Sequence, residues 1–381
     1  MPNLKIIDRY ILWQFISILF ICFFSLTGLY IVFDAFSNLD SFMESAEKEG
    51  SLLKVMGTFY FFKSIVFFDL TSGVLCLIAS MFTLTWLQRH NEMTALMAAG
   101  ISRFRVALPI IITVCVISFL SAANRELILP HYREELARNA KDLLGEATQE
   151  LKPRYDNKTD ILLRGEFTVA AERRITNPDF LLPTGMDRYG RQIRARDAFY
   201  RPAEGDRPSG YLLQGVTEPL ELLKQPSIYD QGGEKTILTP YDYDWLQPDE
   251  VFVVSDIDFE QLTGGRGFLQ FSSTKELLDS LRNESLDFGA SVRVNVHSRL
   301  VRPLLDINLL FLGLPLVLRR DNRNVFVAVG LCLAVVTIFL LTVYGARFLG
   351  SAVVLSPHLS AWLPLLIFVP VAVAMSDPLR Q

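Results

Sequence analysis

The sequence predicts a membrane α-helical protein with six transmembrane helices and an inserted, extracytoplasmic all-β domain of jellyroll-like type. Three observations carry this. Half of the 381 residues are hydrophobic, but they bunch at the two ends of the chain and leave a polar middle rich in Pro and Gly. Six apolar runs approach the roughly 20 residues needed to cross a bilayer. The middle breaks into short, partly alternating segments separated by turn residues, the pattern of antiparallel strands.

The first run, residues 10–33, carries no charge until Asp34. Lys5 and Arg9 precede it as they would a signal peptide. It is too long for a typical signal core and lacks a small-x-small cleavage site, so it reads as an uncleaved span. Residues 59–87 follow, with Lys63 and Asp69 near their start, and then 106–123, free of charge. After the middle come 304–318 with Asp306, 325–344, and 359–375, which Pro364 and Pro370 interrupt. The expected domain bounds are 1–123 for the first three spans, 124–295 for the inserted domain with its flanking helices, and 296–381 for the last three spans.

Lys and Arg in short loops set the orientation. An N-terminus inside places Lys5, Arg9, Arg89, Arg103, Arg105, Arg319, Arg320, Arg323 and Arg380 on the cytoplasmic side, and the C-terminus with them. The opposite side receives the acidic loop with Asp40, Glu44, Glu47 and Glu49, the short loop 347–357, and the polar middle.

That middle opens with HYREELARNAKDLLGEATQEL, where Leu136, Ala140, Leu143, Leu144 and Ala147 recur at helical spacing. DILLRG, EFTVAAERRI, RQIRARDAFYRP, SGYLLQGV, PLELL, KTILTPYDYDWL and EVFVVSDIDFEQL then read as strands parted by DRYG, EGDRPSG and DQGGE. Such a series without intervening helices argues for an antiparallel sandwich, a jelly roll or an open barrel, with Phe167, Phe199, Tyr211 and Phe252 as core. FSSTKELLDSLRNE carries a capping box, Ser273 at the cap and Glu276 three residues on, and leads back to the membrane.

Enzyme chemistry finds no support. The sequence has no G-x-x-x-x-G-K-[ST], no H-E-x-x-H and no G-x-S-x-G. GGRG at 264–267 reads as a loop, and Asp242 and Asp244 of DYD as the solvent face of a strand. His90, His131, His297 and His358 are dispersed, so no metal site is expected. Cys22, Cys76, Cys115 and Cys332 lie inside apolar runs and form no C-x-x-C pair, which makes them small apolar residues. A net charge of -4 without a basic patch gives nucleic acid nothing to bind.

RHNEMTALMAAGIS at 89–102 is the most informative stretch. Asn91 suits a helix N-cap, and Glu92 sits in the first turn, where a negative charge suits the helix dipole. Gly100 fits the C′ position, and Ser102 can cap the next span. Met93, Leu96 and Met97 form a stripe at i, i+3, i+4, while Ala95, Ala98 and Ala99 keep the other faces slim. The plain reading is a tight connector in which Glu92 balances neighbouring arginines. The other is a helix that docks into a groove of another protein. An acid gains nothing for insertion on the positive side, which favours docking.

With R-x-N-E-M-x-A-L-x-A-A-G-I-S wording at 89–102, RLVRPLLDINLLFLGLPLVLRR at 299–320 and LSPHLSAWLPLLIF at 355–368, the chain resembles the LptF/LptG (YjgP/YjgQ) permease family over essentially its whole length. The hinge wording lies slightly closer to LptG. The resemblance implies a bacterial inner-membrane permease for lipopolysaccharide export. Two such subunits would pair on a dimer of a separate cytoplasmic ATPase, LptB, which binds the ATP, so this chain needs no cofactor. Residues 91–100 would be the coupling helix, with Glu92, Met93, Ala95, Leu96, Ala99, Gly100 and Ser102 on the motif and Glu92 facing a basic residue of the ATPase. Lipopolysaccharide would enter between the first and fifth spans and rise through the β domains to a bridge of LptC and LptA type. Two features depart from the family: FFDLTSG has Asp69 where a proline is expected, and the first span has no lysine.

Charges in the spans leave two readings open. Arg299 and Arg302 share a helical face with Asp306 one turn on, and serve as an interface anchor with an Arg302–Asp306 pair. Alternatively, Arg299, Arg302 and Arg347 meet lipid phosphates through their forked donors. Asp34 and Asp69 should avoid lipid, since a charge at a span's centre costs roughly 2.5–3.5 kcal/mol on insertion scales. The competing function is a membrane-anchored periplasmic scaffold or sensor, which requires neither six spans nor a docking hinge.

Overall fold

The computed structural model describes residues 6–137, 149–170, 172–186, 190–229, 233–263, 266–286, 289–318 and 325–376. Lys5, Arg319, Arg320, Arg323 and Arg380 of the orientation pattern lie outside the described residues. So do Ala140, Leu143, Leu144 and Ala147 of the predicted helix, and the first two glycines of GGRG.

Helices α1 (Ile6–Ser37), α2 (Leu39–Glu49), α3 (Leu52–Arg89), α4 (Glu92–Ala98) and α5 (Arg103–Ala123) open the chain. A π turn over Asn124–Ile128 prolongs α5 into α6 (Leu129–His131), and α7 (Arg133–Ala137) follows. The expected acidic loop is helix α2 instead. Leu39, Phe42, Met43 and Ala46 supply an apolar stripe at helical spacing, and Phe42 is fully buried. After the β region come α8 (Phe259–Thr263), α9 (Arg266–Phe271), α10 (Thr274–Arg282), α11 (Gly289–Leu318), α12 (Val325–Ser351) and α13 (Pro357–Met375). Among the described residues, six helices are long and apolar enough to cross a membrane: α1, α3, α5 with its extension, α11, α12 and α13.

The chain divides into two compact units. One comprises Met1–Leu39, Met56–Tyr132 and Gly289–Gln381, the other Asp40–Val55 and Arg133–Phe288. In the first, α11 is the hub. Its Val301, Leu305, Leu309, Leu312 and Leu316 join Leu77 and Leu84 of α3, Ile110 and Val114 of α5, Phe339 of α12 and Phe368 of α13 in one core. Between lipid-soluble helices close packing replaces the hydrophobic drive, so small residues mark the contacts. A Cβ on Gly313 would collide with the Leu77 side chain, and one on Gly350 with Ser360. Helix α1 is the least covered, exposing Trp13, Phe20, Phe24, Phe33 and Phe36.

The second unit is an antiparallel sheet of eleven strands among the described residues. In chain order they are β1 (Gln149–Glu150), β2 (Arg154–Asp156), β3 (Ile161–Leu163), β4 (Phe167–Val169), β5 (Arg174–Thr176), β6 (Asp179–Leu181), β7 (Gln192–Arg201), β8 (Gly210–Glu218), β9 (Ile228–Tyr229), β10 (Lys235–Leu238) and β11 (Glu250–Val254). The main path runs β1-β4-β5-β7-β8-β11-β10-β9. The long β7 pairs with β6 along its first half and β5 along its second, and β3 carries β2 beyond β6.

Several predicted strands change. EFTVAAERRI is a hairpin of β4 and β5, turned at Arg173 with φ 49°. PLELL is a 3-10 turn, Leu220–Lys224, because Pro219 has no N–H with which to extend the β8 ladder. DYDWL lies in turns, where the Asp242 carboxylate accepts from the Ser227 N–H at 2.6 Å. Arg266 and Gly267 of the expected GGRG loop open α9. Of the four expected core aromatics, Tyr211 and Phe252 are fully buried, Phe199 is half-buried and Phe167 is exposed. Tyr211 donates to the Ile257 carbonyl at 3.0 Å, and burial holds its phenol well above the ordinary value, so it remains a neutral donor. The capping box of α10 forms as read: the Glu276 N–H donates to Ser273 Oγ at 3.2 Å, and the Ser273 N–H to the Glu276 carboxylate at 2.8 Å.

Gly313→Leu tests the packing around α11. Overpacking a tight core costs about 1–3 kcal/mol, so thermal unfolding of the detergent-solubilised variant should shift clearly down. Gly330→Leu, at a glycine with open space around it, should leave it unchanged.

Candidate functional site

Two places in the membrane unit gather polar groups: the hinge around α4 and a charged cluster among α3, α5 and α11.

The hinge is closed by backbone geometry at both ends. Asn91 does not cap α4 with its side chain. It adopts a left-handed backbone, φ 59°, a conformation asparagine tolerates, and so breaks α3 from α4. At the far end Gly100, φ 80°, donates to the Met97 carbonyl at 2.9 Å, and Ile101 to the Leu96 carbonyl at 3.1 Å. This is a Schellman turn, with Gly100 at C′ as the sequence predicts. The Arg105 N–H then donates to Ser102 Oγ at 3.3 Å, capping α5 as expected.

The apolar stripe points inward. Met93 is buried, and Leu96, Met97 and Ile101 pack on the membrane core. The stripe therefore anchors α4 to its own chain. Thr94, Ala95, Ala98 and Ala99 form the exposed side, which is slim because these side chains are short.

Contacts distant in sequence tie the hinge to its surroundings. Tyr10 of α1 donates to Glu92 Oε1 at 3.2 Å. Arg105 pairs with the buried Asp8 of α1 at 2.7 Å. Buried Arg103 donates to the Leu318 carbonyl at the end of α11 at 3.2 Å, and Gln88 to the Val317 carbonyl at 2.9 Å. The hinge region, residues 88–105, is thus tied to α1 and α11. Asp8 was not singled out from sequence. The signal was an acid isolated among basic residues ahead of the first span.

The second place centres on Asp69 of α3, which is buried. Arg125, in the π turn, pairs with its carboxylate. Ser121 donates to Oδ1 at 3.4 Å, and Arg302 Nη1 lies 3.6 Å from Oδ2. A second Arg302 nitrogen donates to the Asp69 carbonyl. The expected Arg302–Asp306 pair is not formed, because Asp69 offers Arg302 both a carboxylate and a carbonyl. Asp306 lies against Gly73 instead, and a Cβ there would collide with its carboxylate. Arg299 is not an exposed anchor: its side chain is 5% exposed, hydrogen-bonded to Asn295 at 3.4 Å and 3.9 Å from Glu126. Half-buried Arg347 interacts electrostatically with Asp306 and Arg125. The structure thus brings together Arg299 and Arg302 and adds Arg125, which sequence reading passed over because it follows the third apolar run.

A small cleft of about 20 Å3 opens here, lined by Asp69, Ser118, Ser121, Arg125, Arg302 and Asp306 among others. Removing one member of a buried ion pair costs about 3–5 kcal/mol, so this cluster holds the three helical segments in register. Asp34 is likewise satisfied, accepting from Tyr60 at 2.9 Å. Lys63 lies over the Phe59 ring at 5.2 Å. Two of the dispersed histidines, His297 and His358, come within 6.1 Å ring to ring. Among the described residues, no group of three or more His, Cys, Asp or Glu is placed to hold a metal.

Six apolar helices, split three and three by an antiparallel β region, define a multi-pass membrane protein. Residues 9–176 and 223–377 match the family described as Lipopolysaccharide export system permease LptF/LptG, and the chain belongs to that family. It is therefore an inner-membrane permease of lipopolysaccharide export rather than an enzyme in its own right. The match covers LptF and LptG together and lends no support to a leaning toward either. No curated protein matches the chain.

The hinge turn makes a direct prediction. A branched residue in the left-handed region costs roughly 1–2 kcal/mol, so Gly100→Val should lower the melting temperature in detergent, whereas Gly100→Asn should stay near wild type. Equal stability of all three proteins would contradict the turn.

Proposed function

We propose that the chain is one of two permease subunits in a complex that extracts lipopolysaccharide from the inner membrane and passes it to a periplasmic bridge of LptC and LptA type. ATP is bound and hydrolysed by a separate LptB-type ATPase dimer. The observation that carries this is the build of α4. Its apolar side is fixed in the protein's own core, and its slim side, Thr94, Ala95, Ala98 and Ala99, is presented outward. A partner can approach such a surface closely, and the hinge passes its motion into four membrane helices.

In this reading the hinge and both termini are cytoplasmic, and the β region is periplasmic, in line with the Lys and Arg bias of the short loops. Glu92, at the start of α4, faces a basic residue of the ATPase while accepting from Tyr10. Met93 and Leu96 act from behind by fixing the helix, and Gly100 and Ser102 by closing its end. Domain bounds at 1–123, 124–295 and 296–381 separate the two membrane halves from the β-jellyroll. Arg299, Arg302 and Arg347, with Arg125, give anionic headgroup chemistry a place inside the membrane unit, where unpaired charge is costly and therefore marks function. The exposed apolar length of α1 suits contact with lipid or with the second permease subunit.

Affinity purification of the chain expressed with its neighbouring subunits tests the docking. Wild-type protein should carry a P-loop ATPase with it, and Ala95→Trp, which fills the slim face without touching the core, should lose it. Glu92→Ala should keep the fold but lower ATP-dependent lipid release at least tenfold. Unchanged association by Ala95→Trp, or wild-type release by Glu92→Ala, would remove α4 from the coupling role.

A further inference from the structure

An arginine cluster inside a membrane unit raises a physical difficulty for a carrier. Left empty and unpaired, it would be costly to maintain. Built only to attract anions, it would hold its cargo too firmly to let it go. Asp69 resolves both. Its carboxylate is met by Arg125, Arg302 and the Ser121 hydroxyl. A forked guanidinium, a second guanidinium and a hydroxyl are the donors that a phosphate group takes.

Arg125, Arg299 and Arg302 line the cleft with Asp69, Glu126 and Asp306, three guanidiniums against three carboxylates. Asp306 lines the same cleft beside Gly73, and none of the ion pairs among the described residues is made by it. Asp69 joins the π turn after α5 to α11 through Arg125 and Arg302, beside the direct Arg299–Glu126 contact. The cleft opens where it sits, so an anionic group entering there meets donors already engaged by a carboxylate.

We propose that Asp69 is an internal counter-anion, holding Arg125 and Arg302 in the place that a phosphate of the transported lipid takes over. It is a positioning residue: it sets how tightly the cluster holds its ligand and does not touch the ligand itself. Binding becomes an exchange of one anion for another, so loading and release both proceed without stranding a buried arginine. This rests on the proposed function, and the shared chemistry is a lipid-borne phosphate, whether from lipid A or from an anionic phospholipid.

The test uses the full chain with its partner subunits in nanodiscs of phosphatidylcholine. Three ligands are titrated: lipid A bearing both phosphates, dephosphorylated lipid A, and phosphatidylglycerol. Asp69→Asn removes the competing charge and keeps the shape. It should raise affinity for phosphorylated lipid A roughly tenfold, the scale of one charge-assisted hydrogen bond, and slow its release, with no gain for the dephosphorylated form. The gain should vanish when Arg302→Gln is added. Asp69→Ser, which keeps a hydroxyl for Ser121 and Arg125, is read in parallel should the asparagine variant not fold. A gain confined to phosphatidylglycerol would support the counter-anion role and overturn lipopolysaccharide as the cargo. Unchanged or weaker binding of both phosphorylated ligands by a folded variant, or a gain that survives Arg302→Gln, would overturn the inference.

Discussion

A carboxylate inside a helix bundle must be given partners, and Asp69 receives them from two other segments of the chain. Arg125 comes from the π turn that prolongs α5, Ser121 from α5 itself, and Arg302 from α11. Because breaking such a pair leaves an uncompensated buried charge, these segments keep their register with α3. Gly73, one turn further along α3, lets the Asp306 carboxylate of α11 lie directly against the helix. The membrane unit has this joint at its polar centre, and the cleft beside it is a polar opening among its spans.

The joint and the hinge are two ends of the same pair of helices. Asp69 lies 20 residues before Arg89, about 30 Å along α3 at 1.5 Å per residue. Arg125 closes the far end of α5, whose near end is capped by Ser102 at the hinge. α3 and α5 therefore connect the hinge to the charged cluster, and Asp8 and Tyr10 connect it to α1. In the proposed function, this connection would link a separate ATPase to the lipid path. No energy need cross a flexible linker.

What was legible in the sequence was local. The apolar runs, the capping box at Ser273, the Schellman turn at Gly100 and the cap at Ser102 are each decided within a few residues, and each forms as read. Much of what was not legible depended on partners distant in the chain, although the Asn91 cap failed locally, where a left-handed backbone breaks α3 from α4. The Met93 and Leu96 stripe was visible, but which body it faces was not, and it faces the protein's own core. Arg302 and Asp306 had the spacing of an ion pair, yet a carbonyl and carboxylate from α3 drew Arg302 away. Tyr10–Glu92 and Asp8–Arg105 lie more than eighty residues apart. In the β region, a proline or a tight turn cuts the predicted strands, as at Pro219 and Arg173. The family resemblance rested on the wording of residues 89–102, supported by 299–320 and 355–368.

We propose that this permease moves lipid only when its hinge is driven by a separate ATPase. Reconstitution in proteoliposomes loaded with lipopolysaccharide tests it most directly. The chain, its partner permease, the ATPase and a soluble bridge acceptor are combined, and lipid appearing on the acceptor is measured with and without ATP. The account predicts transfer that requires both ATP and the ATPase. Transfer that proceeds without either, or none from an assembled complex that hydrolyses ATP, would contradict it.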